Sequence, residues 1–347
     1  MFSGMVVKIY VVASHLSPRS VIDDALKELE NLGNFEVHIN KPPGVSDLIL
    51  LYPATGGTER MLVGWFDFLT RVVVLWRDGW NSLPAALAVE EHLRRLGFPV
   101  SIERASDFRG AQGMEPIRMA TIGGVADWIL DPQPPHVEIP VPDPGGGSPK
   151  EMAERLYHRI LKLVREHGID GIAFNCFKFA IKWGFVPCLT LSLLNGRGVP
   201  AACEGDLRAL LTLILGRRIL GVSGMMGNIS HLAEGKLILS HCTAPSDWGI
   251  VDYRNHFETG LPVSPVVEGF RGKGVLAAFV GDRFRIAEVE VLDRLEKDYS
   301  CRNQFLLKIP KGFRPRGNHH VLFRGDPLRL SSGLKELGYE VELFTLF

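Results

Sequence analysis

The chain has 347 residues, 46% apolar and 22% charged, a globular composition long enough for two or three domains. Lys plus Arg equals Asp plus Glu at 39 each, so no basic face is expected and nucleic acid is excluded as a partner. The apolar runs are too short to span a bilayer, and the first residues lack the basic, apolar and small-residue regions of a leader, so the sequence reads as cytoplasmic with no membrane partner.

In chain order, "MVVKIYVVASHLSP" predicts a strand ending in turn residues, and "SVIDDALKELENLG" predicts a helix that stops at Gly33. "FEVHIN", "DLILLYPA" and "RVVVLWRDG" predict further strands. "NSLPAALAVEEHLRRLG" predicts a helix with Pro84 in its first turn and Gly97 past its end. "MATIGG" and "WILDP" complete this series of strands. Strands alternating with helices imply a parallel sheet covered on both faces. "DPQPPHVEIPVPDPGGGSPK" is rich in Pro and Gly and predicts a linker over residues 131–149. "SPKEMAERLYHRILKLVREHG" follows as an amphipathic helix, "DGIAFNC" as a buried strand, and "PCLTLSLLNGRG" as a helix. "VPAACEGD" ends a strand, and "LRALLTLILGRR" is an apolar helix. Beyond about residue 245, short β-rich runs such as "GVLAAFVG" and "RIAEVEVL" predict a barrel-like or sandwich domain. The expected architecture is α/β: two doubly wound, Rossmann-like parallel-sheet domains over 1–149 and 150–244, then a smaller β-rich, barrel-like domain over 245–347.

Five cysteines at irregular spacing, with no Cys-x-x-Cys pair, argue against a disulfide framework or a thiolate zinc site. Other ligand-type residues fall at the ends of apolar segments, where open α/β sheets bind their ligands. "TGGTE" offers Thr55, Gly56, Gly57 and Thr58 to sugar-like oxygens, or else is a plain turn capped by Thr58. "ACEGD" places Glu204 and Asp206 where an apolar strand meets an apolar helix. A carboxylate there is paired, metal-bound or a helix cap. Asn228 in "MMGNIS" is a turn residue or an oxygen ligand. His241, ending "KLILSH", is a core imidazole or a ligand. His256 and Glu258 in "RNHFETG" share a face if that segment is extended. In "GNHHVLF" a strand would send His319 and His320 to opposite faces, so only one of them meets a given site. Oxygen and imidazole ligands without thiolate suit Mn²⁺, Mg²⁺, Fe²⁺ or Co²⁺. Trp183, Trp248, Tyr253 and Phe257 serve equally as core or as sugar-stacking rings.

The series "ACEGD … GNIS … HC … NHHVLF … GD", with "TGGTE", "NSLPAAL", "NHFETG" and "CRNQ", resembles the L-fucose/L-arabinose isomerase superfamily, and its shorter fucose-isomerase-like members in particular. The resemblance covers most of the chain and is best over residues 171–326. It implies a metal-dependent aldose–ketose isomerase, commonly with Mn²⁺, assembled as a homo-oligomeric trimer or hexamer. It also implies two α/β domains and a β-rich third. By motif, Glu204 matches the family's metal-binding catalytic Glu, and His241 and the "NHH" histidine match its imidazole ligands. Versions with a single histidine favour His319 over His320. Asn228 stands where the family has its second acidic residue. An amide binds metal through its carbonyl but takes no proton near neutral pH. A second base then has to come from Glu258, Asp206 or Glu59, or the protein keeps the scaffold as a non-catalytic binder of sugar or metal.

Overall fold

Residues 7–30, 35–298 and 300–346 are described in the structure, a computed structural model. Gly33, the predicted stop of the first helix, lies outside them, as does the start of the first predicted strand. The chain divides into two compact units, residues 1–117 with 336–340, and residues 118–335 with 341–347.

The first unit holds β1 (Val7–Val12), α1 (Arg19–Glu30), β2 (Phe35–Ile39), β3 (Leu48–Pro53), α2 (Glu59–Val63), β4 (Arg71–Trp76), α3 (Ser82–Arg95) and β5 (Val100–Arg104). The strands form one parallel sheet in the order β2-β1-β3-β4-β5. Every residue of β3 is buried, as expected for a strand covered on both faces. Ile9, Val11, Leu50, Tyr52, Val73 and Leu75 from three neighbouring strands share one core with Ala25 and Leu29 of α1. Sequence reading did not single out β5, which has one fully buried position in five.

The second unit continues with β6 (Met119–Ile122), β7 (Val137–Ile139), α4 (Pro149–His167), β8 (Gly171–Phe174), α5 (Cys176–Trp183), α6 (Cys188–Gly196), β9 (Ala201–Cys203) and α7 (Leu207–Leu220). Its strands form a parallel sheet in the order β7-β6-β8-β9. α4 starts where its sequence demands. The Ser148 side chain accepts from Glu151 N–H, Glu151 reaches back to Ser148 N–H, and Gly168 closes the helix in the left-handed region. The division between the units falls at 117/118. The Pro/Gly-rich stretch 131–149 therefore lies inside the second unit, where Val137–Ile139 is a sheet strand. "WILDP" is not a strand: Trp128 to Asp131 lie in the loop between β6 and β7.

The remaining elements are β10 (Gly224–Ala233), β11 (Lys236–His241), β12 (Ile250–Arg254), β13 (Ser264–Val267), β14 (Gly272–Val280), β15 (Arg283–Leu295), β16 (Asn303–Lys308), β17 (His319–Phe323), α8 (Pro327–Glu336) and β18 (Val341–Phe344). Six of these strands close a ring, β14-β17-β10-β11-β16-β15 and back to β14, all antiparallel. This barrel begins at Gly224, well before the change of composition near residue 245. Its interior is filled by Met225, Leu237, Leu239, Leu276, Ala287, Val289, Phe305 and Leu322. β12 and β13 form a separate antiparallel pair, and β18 lies parallel to the first half of β15.

The helix α7 joins the second sheet to the barrel. Its first ten residues are all buried, Arg208 and Thr212 included, because both sides of the helix are covered there. A Cβ on Gly171 of β8 would press on Leu210 and Ile214, and a Cβ on Gly216 would overlap the Phe323 ring of β17. The N-terminus of α7 is thereby held beside the first residue of β17. Among the described residues, no helix is long and apolar enough to cross a membrane.

Candidate metal centre

The turn between β9 and α7 sets the site. Glu204 has φ +58° and Gly205 φ +66°, two successive left-handed residues that reverse the chain within one step. Only glycine fits at 205, since a Cβ there would overlap the Gly124 carbonyl. The next residue, Asp206, caps α7: its Oδ1 accepts from Arg208 N–H at 2.9 Å and Ala209 N–H at 3.0 Å. Its other oxygen, Oδ2, accepts from His319 Nδ1 at 2.8 Å. One carboxylate thus starts a helix and orients an imidazole from a strand 113 residues away.

His319 Nε2 lies 3.3 Å from Glu204 Oε1, and His241 Nε2 lies 3.7 Å from the same oxygen. The Glu204, His241 and His319 donor atoms all fall within 4.8 Å of one another, the one such group of three found among the described residues. His241 Nδ1 pairs with Thr243 Oγ1 at 3.0 Å. With the proton on Nδ1 of each ring, shared with Thr243 or Asp206, both Nε2 lone pairs face the common space beside Glu204. An outer partner on each metal-facing imidazole is the usual support of a metal site, so this donor set fits a divalent cation. Both histidines are buried and Glu204 is nearly so, with 13% of its side chain exposed.

Electrostatics follow from this packing. Burial works against the Glu204 charge, but the His241 and His319 hydrogen bonds outweigh it and hold the carboxyl well below its usual range. Burial likewise opposes charge on His319, yet Asp206 and Glu204 carry its pKa up to about 10. In the metal-free protein His319 is therefore an imidazolium between two carboxylates, and a metal would displace its Nε2 proton.

His320 does not join the group. Alternation along β17 puts it on the face of Leu322, inside the barrel, where its Nδ1 is buried without a hydrogen-bond partner. Burial, then the charges of His319 and Arg285, lower its pKa to about 4. Asn228 is half-buried and sits directly across the ladder from His319, on the same face.

His256 and Glu258 do not share an extended face. Residues 257–259 form a turn, closed by Gly260 N–H donating to the His256 carbonyl, which buries His256 and leaves Glu258 exposed. His256 Nδ1 contacts Thr259 Oγ1 at 3.1 Å. Burial opposes its protonation, but Cys242 and Glu258 raise its pKa.

Thr55, Gly56, Gly57 and Thr58 belong to the first unit, at the end of β3. Their hydroxyls are used internally: Thr55 Oγ1 accepts from Ser14 N–H and Thr58 Oγ1 donates to the Thr55 carbonyl. Thr58 precedes α2 without a side-chain cap bond, and Glu59 is the first residue of that helix.

Two aromatic residues at the centre escaped the sequence reading. Trp128 Nε1–H donates to Glu204 Oε2 at 2.5 Å, and its ring meets Phe177 edge to face at 5.1 Å. No local signal marks them, because Trp128 lies in a segment that reads as a strand. Of the aromatic residues weighed from sequence, Trp248 packs on Phe270 and Phe305 beside the barrel core.

An α/β scaffold closed by an antiparallel barrel, with a buried Glu/His/His group, is the class that fold and site define. No protein-family model matches the chain. A 91-residue segment is 29% identical to the sulfoquinovose isomerase of Clostridium sp. (strain MSTE9), covering 25% of this chain and 20% of that protein. The chain thus aligns with about a fifth of the relative's length and has a distant similarity to a sugar isomerase. A macrolide-efflux protein of Streptococcus pneumoniae aligns over 92% of this chain and 89% of its own, at 10% identity and a TM-score of 0.18. A score that low says nothing about the fold.

Proposed function

We propose that this protein is a divalent-metal-dependent isomerase that interconverts the aldose and ketose forms of a sugar or sugar derivative. The observation that carries this is the convergence of Glu204, His241 and His319 with an outer partner on each imidazole. The similarity to a sugar isomerase supports the same reading. Glu204, His241 and His319 would hold the ion, and Asn228, across the ladder from His319, would be the candidate for a further oxygen. Mn²⁺ is the first candidate, ahead of Mg²⁺, Co²⁺ and Fe²⁺. When bound, such a cation supplies positive charge against the negative charge that develops on the sugar's O1 and O2.

The reaction moves a proton from C2 to C1 and a hydroxyl proton from O2 to O1, through an ene-diol. Glu204 is ionised in its pocket, and it would have to give up its indole or imidazole contact to take the carbon proton. Asp206 is already committed to the α7 cap and to His319, which removes it as a free base. Its work is to fix His319 in the orientation and tautomer the site requires.

The test is a panel of aldoses, sulfonated hexoses included, incubated with metal-loaded protein and assayed for ketose. Glu204→Gln should lower turnover at least 100-fold, on the scale of a lost acid–base group, and EDTA should abolish it. Turnover that survives both sinks the reading. The amide at Asn228, opposite His319, favours a second reading: a sugar or metal binder on the same scaffold. That reading expects sugar binding by calorimetry with no solvent deuterium entering at C2. A trimer or hexamer belongs to the proposal as well, and sedimentation velocity would test it.

A further inference from the structure

The loop after β6 leans on the turn that carries Glu204. Ala126 N–H donates to the Glu204 carbonyl at 3.0 Å, and the Gly124 carbonyl sits where any Cβ on Gly205 would go. The same loop delivers Trp128. Its Nε1–H takes Glu204 Oε2 at 2.5 Å, while Oε1 is the oxygen facing His241 and His319. The two carboxylate oxygens are therefore divided, one to the indole and one to the imidazoles. A carboxylate with one oxygen held by a fixed donor is left to bind a cation through the other alone. Phe177, in the first turn of α5, props the indole edge to face at 5.1 Å and itself contacts His256. Trp128 is nonetheless 47% exposed, a costly state for a residue with so large an apolar ring. An aromatic plane with one polar end engaged and a face left wet is suited to receive another amphipathic surface. The carbon skeleton of a polyol, with C–H groups on one side and hydroxyls on the other, is such a surface.

We propose that Trp128 positions Glu204 for one-oxygen metal binding and that its open indole face receives the carbon skeleton of the polyol. The second half rests on the isomerase reading; the first half does not. Trp128 thus acts on the metal through Glu204 and on the sugar by contact.

The experiment uses full-length protein labelled with ¹⁵N at tryptophan indoles, with Trp128→Phe to assign the resonance. Its N–H is expected well downfield of an ordinary indole, shifting back in Glu204→Gln. A resonance at the ordinary position, unmoved by Glu204→Gln, overturns the positioning claim whether or not any sugar turns over. Co²⁺ titration gives a second readout. Trp128→Phe keeps the contact with Phe177 but loses the N–H, so its Co²⁺ affinity is expected to fall about tenfold with an altered absorption spectrum. A Co²⁺ affinity and spectrum equal to wild type would also overturn it. For the contact claim, Trp128→Leu removes the ring. Its Kd for a linear hexitol, and KM for any aldose turned over, should rise about tenfold over Trp128→Phe, whose own loss should fall on kcat. Equal hexitol binding by both variants rejects the contact. A wild-type protein that binds Co²⁺ yet isomerises no aldose would instead reject the isomerase reading and leave the indole result standing.

Discussion

Two adjacent histidines have opposite environments. His319 is surrounded by carboxylates and carries a proton; His320 faces the barrel interior and excludes one. The His320 pKa is lowered from its ordinary 6.5 to about 4, so the unfolded chain binds the extra proton between those values. Its contribution to stability is complete above about pH 6.5 and is lost as pH falls toward 4. The size of the shift corresponds to roughly 3 kcal/mol. His320→Leu is expected to flatten the acid limb of stability by about that amount, measured as urea midpoints from pH 7 to 4. The same slope in variant and wild type would contradict the placement. His319 has the opposite sign: in the metal-free protein its contribution is complete below about pH 6.5 and is lost as pH rises through about 10. Asp206→Asn separates the two duties of that side chain. Asparagine still caps α7, so stability should change by a few tenths of a kcal/mol from this source. The loss of the carboxylate behind His319 should weaken metal binding 10- to 100-fold, read by calorimetry.

At the scale of elements, the turn between β9 and α7 is the least replaceable piece of backbone. Gly205→Ala adds a left-handed non-glycine residue and a clash with the loop after β6. A loss on the order of 3 kcal/mol is expected in denaturant unfolding, because neither neighbour is a flexible side-chain end. A loss under about 1 kcal/mol would show that the turn can relax. The elements also explain what was readable from sequence. The amphipathic run of α4, the Asp206 cap of α7 and the runs of β1, β3, β4 and β11 are local signals and stand where the sequence places them. The ends of those elements also marked Glu204, His241 and His319. What could not be read depends on contacts distant in sequence. Trp128 is a ligand partner only because Glu204, 76 residues on, lies beside it. β7 hides among prolines, with two of its three residues exposed. The barrel's start at Gly224 is invisible because the all-buried half of β10 has no polar alternation to mark it.

At the scale of the whole molecule, each compact unit has a core of its own. Calorimetric unfolding is therefore expected to depart from two-state behaviour, with a calorimetric enthalpy larger than the van't Hoff value. Equal enthalpies would mean that the units melt as one. The barrel itself depends on β15, whose two halves serve different neighbours. Phe284 to Ala287 pair with β14 on one side and with β18 on the other, and only from Glu290 onward does β16 take over. β18 therefore occupies the short stretch of β15 that β16 does not reach, anchored by Glu342 on Arg285 at 2.6 Å and by the edge-to-face contact of Phe344 with Phe313. Stripped of that strand, alternate residues of this stretch of β15 would present bare amides and carbonyls next to apolar rings, the kind of adhesive seam through which chains clump. This short strand thus guards the solubility of the barrel whose other strands carry His241 and His319.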